Sequence, residues 1–529
     1  MPSYTSEKLD FHNAEQFKES FFEPEPTTIG YVFIGNHVPY SNEDAPDSIT
    51  DTVKNEKSVW DNMYAAKRIT GNDVELVIPK VTWTGNTKYR QFDDTITLSE
   101  LLSSNTVQNL KPMYVMNTDR NVYLCMSNNV SSNSTVEPTG QNLSANGIIQ
   151  TADNYLWKYL YNIRASNLFL ADNFIPAPIS TSKLDYSTSA NVAVDGELAQ
   201  IVVTNSGTGY IHSNLTVSSF VTGCTILTVS ATDDAVSPNL SAAIQNTANM
   251  KIVGTGIGGS THILSVDPVN LKITLSAAVT ANGGSANAAN LLFISTRIFV
   301  DGDGTTVLSE PSLSGTTIQK ITVTTRGSGY TFANVRIFGT GVNAAARAVF
   351  PPKFGHGFNS AKQLGASSVM IAKRIGEIDT TEGGLISANT TFRQYGFLRD
   401  PYKYGSSTQA NTAVANSVIS QTTNVTLVSG PSYNLDEFVY QGSSVTATSF
   451  SGFVNNFTSN EVKLTRAKGI LTIGGPLIGA NTNPAGRRVI SYVNPEFQPY
   501  TGDIMHVENI VKTQRTDGQA EVLKFVIRF

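Results

Sequence analysis

The sequence predicts a mainly β protein with some α: a multi-domain chain of small antiparallel sheets or sandwiches, with a few helices in the N-terminal part. Three observations carry that expectation. Only 15% of the 529 residues are charged, against roughly 25% in an ordinary soluble domain, and Ser, Thr, Asn and 41 Gly supply the polarity instead. Apolar and polar residues alternate over short runs bounded by Gly, Pro, Asn and Asp, which is the period of half-buried strands. The length corresponds to three or four folding units at about 150 residues each.

Helical signals come first. Asn13-Ala14-Glu15-Gln16 has the form of a helix-opening capping box, and Ala14, Phe17 and Phe21 then recur on one stripe. Thr28 to Ile34 reads as a buried strand. After a Pro-bearing loop from Pro39 to Pro46, a second helical pattern places Trp60, Met63 and Tyr64 on one face. Val74 to Ile78 is a strand that Pro79 ends or holds at an edge, because proline has no ladder donor. Val81 to Arg90 reads as a turn between two short extended pieces. Met113 to Cys125 and Tyr155 to Ile163 are strand-like and aromatic, with Trp157, Tyr159 and Tyr161 on one face of the latter. Little beyond has a helical period.

An internal repeat occupies the middle. Ile201-Val202-Val203-Thr204-Asn205-Ser206-Gly207-Thr208-Gly209-Tyr210 matches Ile321-Thr322-Val323-Thr324-Thr325-Arg326-Gly327-Ser328-Gly329-Tyr330, 120 residues on (201 to 321). Each copy reads as strand, tight turn and returning strand, with glycines permitting positive φ, so the pair predicts two matching hairpins of one β-domain. Between the copies, Met250–Val253, His262–Val266 and Leu271–Leu275 alternate as a small meander with a turn at Asp267-Pro268. A comparable set of short strands runs from Asp436 to Gly479. Gly/Ser/Asn-rich stretches at 281–290 and 405–416 are the expected joints. The terminal run Glu521 to Phe529 puts Leu523, Phe525, Ile527 and Phe529 on one apolar face, so it should be tied into a sheet.

Several function classes fall away. A net charge of −5 does not suit a protein that binds nucleic acid by neutralising phosphates. Cys125 and Cys224 belong to no disulfide framework or zinc pattern, and the six histidines include no pair at helical spacing. Gly254-Thr255-Gly256-Ile257-Gly258-Gly259 has dinucleotide-fingerprint spacing but leads into a strand pattern where a helix is required, so a β-turn is expected. Asp301-Gly302-Asp303-Gly304 lacks the later ligands of a calcium loop and reads as a hairpin loop. No nucleophile elbow or P-loop occurs, whereas paired glycosidase carboxylates would leave no local signature. No run is long and apolar enough to cross a membrane, and the polar N-terminal residues lead us to expect synthesis that finishes in a cytoplasm.

Four blocks carry a resemblance. They are Leu76-Val77-Ile78-Pro79-Lys80 with Trp83 and Thr87-Lys88-Tyr89; Asp153-Asn154-Tyr155-Leu156-Trp157-Lys158-Tyr159-Leu160-Tyr161; Phe392-Arg393-Gln394-Tyr395-Gly396 with Pro401; and Thr501-Gly502-Asp503-Ile504-Met505-His506-Val507-Glu508-Asn509. In order and reach, and over roughly half the chain, the sequence resembles the baseplate wedge protein, gene product eight, of T-even-like contractile-tailed bacteriophages. The resemblance implies a non-enzymatic virion component of the tail baseplate, assembled in the host cytoplasm. Such a subunit forms homodimers, touches gene products six, seven and ten of the wedge, and takes part in the rearrangement that triggers sheath contraction. It also implies a division of the chain: a frame over 1–185, an inserted β-domain over 186–350, frame again over 351–435, a small β-module over 436–480, and a return to the frame over 481–529.

On this reading the candidate packing or interface residues are Trp83, Tyr89, Trp157, Tyr159, Tyr161 and Arg393. No catalytic residue, cofactor, metal ligand, small-molecule substrate or nucleic-acid partner is expected. The alternative is a tail-associated polysaccharide-binding or depolymerising protein, since Ser/Thr/Asn/Gly-rich β-chains also serve there. A fibre or capsid decoration protein fits the helix-bearing N-terminal third less well.

Overall fold

In the computed structural model, residues 6–23, 29–36, 38–179, 190–210, 212–228, 250–259, 261–267, 269–283, 289–294, 296–338, 341–375, 386, 390–408, 418–516 and 521–529 are described. His37, Pro268, the 185/186 boundary and parts of the joints at 281–290 and 405–416 lie outside them. The protein is mainly β, with many small, almost wholly antiparallel sheets and few helices. Its two compact units are 1–79 with 166–177 and 365–529, and 80–165 with 178–364. These bounds differ from those expected from the sequence, at 185/186, 350/351, 435/436 and 480/481.

The first unit is a sandwich with a barrel attached. One sheet runs Val418–Ser420, Met63–Arg68, Gly30–Gly35, Thr391–Arg399, Asp503–Gln514; the other runs Phe174–Pro176, Val74–Pro79, Ser368–Arg374, Val522–Arg528. Phe525 closes the gap between them, with its ring 6.2 Å from Phe397 and stacked on His506 at 5.1 Å. The apolar terminal strand is thus bound along its length, from Val522 opposite Arg374 to Arg528 opposite Ser368. Helix Val53–Asn62 puts Val59 and Trp60 into a core with Tyr31, Phe33 and Leu398 on the five-stranded sheet.

Two local expectations need correcting here. The first helix spans Glu7–Glu19 and is capped by Ser6, not Asn13; Ser6 Oγ accepts the Lys8 amide at 3.2 Å, and the Asn13 stretch is simply the helix interior. The second helix stops at Asn62, and Met63 and Tyr64 belong to the following strand. Pairing of Met63–Arg68 with Gly30–Gly35, and burial of both faces of that strand, override the helical period. Strands from Thr423 to Val493 form a closed six-stranded barrel around Val425, Leu464, Leu477 and Val489, so the barrel takes in strands on both sides of 436–480.

In the second unit the two repeat strands, Gln200–Thr208 and Thr317–Thr325, are neighbours. They pair antiparallel at Ile201 and Ile321, the first residues of the two copies. That pairing makes the repeat a local pseudo-two-fold. Leu308–Ser314 flanks one strand and Val342–Val349 flanks the other. Tyr210 packs on Gly341 and Tyr330 on Gly304, so closely that a Cβ at either glycine would sit 2.3 Å from the ring.

The expected hairpins do not form. After each turn the returning strand joins a different sheet: His212–Val217 pairs with Ala289–Ile294, and Ala333–Phe338 pairs with Arg297–Gly302. The reason is burial, since Ile201, Ile321 and Tyr210 need a covering layer, which Ile298, Val300, Val335 and Ile337 provide. The meander strands join a six-stranded sheet packed on Val217, Phe220, Leu227 and Ile252.

Candidate functional site

Three of the six candidate residues, Trp157, Tyr159 and Tyr161, lie in the aromatic sheet of the second unit, ordered Tyr114–Met116, Asn121–Ser127, Leu156–Asn162, Ile148–Gln150; Tyr89, on the short strand Lys88–Tyr89 paired with Leu110–Lys111, packs against it. Tyr89, Trp157, Tyr159 and Tyr161 are fully buried. The strand from Leu156 to Asn162 is therefore buried on both faces, because its polar alternates are also taken in. Lys158 is one of them: burial pushes its ammonium down to about 8 despite the opposing charge of Glu197, and Nζ donates to the carbonyl of Asn146.

Trp157 packs edge-on to Tyr89 and stacked on Tyr155, both at 5.5 Å, an arrangement that aromatic quadrupoles favour. Among the described residues its buried indole N–H has no acceptor. The Tyr89 hydroxyl accepts the Thr84 amide at 2.7 Å and donates to the Thr84 carbonyl at 3.1 Å. Half-buried Trp83 packs against this cluster and donates to Ser134 Oγ at 3.2 Å.

Asp153 organises the adjoining loop. Its carboxylate accepts the Thr135, Val136 and Tyr155 amides and the Thr151 hydroxyl. Burial works upward on its pKa, yet these hydrogen bonds outweigh it and hold the group below the usual carboxylate range. The aromatic block is thus a packed core in which the Tyr89 and Tyr155 hydroxyls donate to loop carbonyls.

Arg393 lies in the first unit and is buried. Its guanidinium meets Glu43 bidentately, Nε at 2.9 and 3.0 Å and Nη2 at 2.8 Å. That hydrogen bond and the Arg393 charge keep Glu43 below the usual range. Tyr40 donates to the Arg393 carbonyl at 2.7 Å, and Asn509 donates to Asp47 at 2.7 Å. Arg393 therefore clamps the loop around 40–47 onto the five-stranded sheet.

The surface available for partners lies elsewhere. Asp503–Gln514 is a 12-residue strand whose ladder, among the described residues, runs to Thr391–Arg399 alone, so there it forms an edge of its sheet. Along it, Met505 is 48% and Val511 53% exposed. On the barrel, Ile470, Ile473, Ile490 and Val493 are exposed. An open edge strand presents unpaired N–H and C=O groups to another chain. The sequence marked this strand through the block 501–509, but not its position at the edge, which depends on partners a hundred residues away.

Among the described residues no group of three or more His, Cys, Asp or Glu lies together to hold a metal ion. Asp303 instead accepts the Thr331 and Phe332 amides at 2.9 and 3.2 Å. Cys125 is buried and Cys224 half-buried, both as free thiols. No helix among the described residues is long and apolar enough to cross a membrane. No known family model matches the sequence, and no curated protein matches it either.

Proposed function

We propose that this chain is a structural subunit of a contractile phage-tail baseplate wedge, acting through interfaces with sibling subunits. The observation that carries the reading is the placing of the resembling blocks. Residues 392–396 and 501–509 lie on directly paired strands, with Gln394 opposite Asn509 and Tyr395 opposite Glu508. Residues 76–78 lie in the facing sheet of the same sandwich. Residues 76–78, 392–396 and 503–509, far apart in sequence, thus share one framework, as a common core should, while Trp83, Thr87–Tyr89 and the block 153–161 lie in the second unit.

The open strand Asp503–Gln514 supports the same view, since its edge and its exposed Met505 and Val511 suit pairing with a second copy or another wedge protein. Obligate interfaces commonly bury about 2,000 Å² or more, so edge pairing would be only part of the contact. Gold-labelled antibody against the chain, imaged on intact particles of the phage that encodes it, tests this: label should sit at the tail tip. Label on the head, or particles with complete tails and no label, would remove the basis for the reading.

A further inference from the structure

The second unit contains a cavity of about 610 Å³ astride the pseudo-two-fold, within the ~300–1,000 Å³ range of small-molecule sites. Corresponding positions, 120 residues apart, line it together: Gln200 with Lys320, just before the two repeats, and Val202 with Thr322 within them. They flank the Ile201–Ile321 pair, whose side chains pack with Ile298 and Val335 on the sheet's other face.

The cavity is unbalanced in charge. Arg90, Lys320 and Arg326 line it against a single carboxylate, Asp93, and Arg347 already holds that carboxylate at 2.5 Å. Arg90 reaches the exposed Glu100 at 3.3 Å. Arg326 lies 3.7 Å from buried Glu197, and among the described residues its buried Nε has no hydrogen-bond acceptor. Lys320 has no hydrogen bond or ion pair among the described residues. Burial presses the pKa of both Lys320 and Arg326 downward. A half-buried ammonium without a counter-charge is unfavourable, and an anion in the cavity would relieve it. Around these cations the lining alternates amides and hydroxyls, such as Gln150, Gln319 and Thr322, with apolar groups such as Leu101, Leu156 and Val202. That mixture suits a ring with hydroxyl edges and C–H faces.

We propose that this cavity binds a sugar carrying an acidic group, with Lys320 and Arg326 receiving the acid and the amide-rich lining receiving the hydroxyls. The acid is a carboxylate, as in a uronic acid, or a phosphate ester. This site does not depend on the wedge reading, and either can fail without the other.

Calorimetric titration of the full chain with glucuronate, glucose 6-phosphate, glucose and inorganic phosphate tests it. One of the acidic sugars should bind at least tenfold tighter than glucose and than phosphate alone, and the tighter of the two assigns the source of the acid. Lys320→Met should weaken that binding at least tenfold, Lys320→Arg should retain it within about threefold, and unliganded Lys320→Met should unfold at or above the wild-type temperature. Each of these results would overturn the site: no acidic sugar binding at millimolar concentration, glucose binding equally, phosphate alone matching both sugars, or Lys320→Met binding unchanged. If both variants lose binding and Lys320→Met also unfolds earlier, Lys320 is a structural residue and the proposal fails.

Discussion

Replacing Trp157 separates packing from recognition. Its ring is fully buried between Tyr89 and Tyr155, so Trp157→Ala removes most of a core side chain and should destabilise the second unit by about 3–5 kcal/mol. Trp157→Phe differs in kind. It leaves a smaller cavity and removes a buried indole N–H that has no partner among the described residues, a group whose burial alone costs about 1–3 kcal/mol. The two effects oppose, so Trp157→Phe should lose only about 1–2 kcal/mol. Urea unfolding of the full chain, followed by far-ultraviolet circular dichroism, reads the difference. Two compact units allow two transitions, and one of them should move in Trp157→Ala by roughly 1 M or more, at a slope near 3 kcal/mol per M. If Trp157→Ala leaves both midpoints in place, or if Trp157→Phe is as damaging as Trp157→Ala, the packing argument is wrong.

Other outcomes follow from the same structure. Burial, with the Lys158 charge second, pushes the His356 imidazole down to about 3 from 6.5; Gln363 donates to its Nδ1 at 2.7 Å. The unfolded chain therefore takes up a proton near pH 6.5 while the folded chain stays neutral. Stability should be fully present above pH 7 and fall by a few kcal/mol, to order of magnitude, as pH drops from 6.5 toward 3; urea midpoints against pH should show this, and His356→Gln should flatten the curve. Gly327 has φ +64°, and a Cβ there would lie 2.7 Å from the Thr305 carbonyl oxygen, whereas Gly315 at φ +60° has nothing within 4 Å. Gly327→Ala should thus lose about 2 kcal/mol or more and Gly315→Ala about 1, measured by thermal unfolding. Arg393→Met should free the loop around 40–47, seen as faster limited proteolysis there with the sandwich intact. Val511→Lys, on the exposed edge, should change stability by no more than about 0.5 kcal/mol yet weaken any self-association seen in sedimentation.

Much of the fold was legible where one local pattern had one solution. The terminal strand is an example: four alternating apolar residues ending in Phe529 have no use except in a sheet. The 201/321 repeat was equally plain, but its pairing was not. A strand, a glycine turn and a strand are compatible with a hairpin and with a crossover to another layer, and the choice depends on whether distant residues such as Ile298 and Val335 cover Ile201 and Ile321. Tertiary burial likewise reassigned Met63 and Tyr64 from helix to strand. Among the candidate residues, the aromatic identity of Trp157, Tyr159 and Tyr161 was visible while their depth was not, because Lys158 on the opposite face is buried as well. Just before the two copies, the corresponding positions 200 and 320 carry an amide and a cation, Gln200 and Lys320, a difference whose place in one cavity depends on the pairing of the two strands.

Sedimentation velocity of the purified chain, alone over a range of concentrations and mixed with the wedge proteins proposed as its partners, gene products six, seven and ten, bears most directly on the proposal that it acts through interfaces. The account predicts concentration-dependent dimers alone and a shared, faster boundary with at least one of those proteins. A chain that stays monomeric throughout and joins none of them would contradict it.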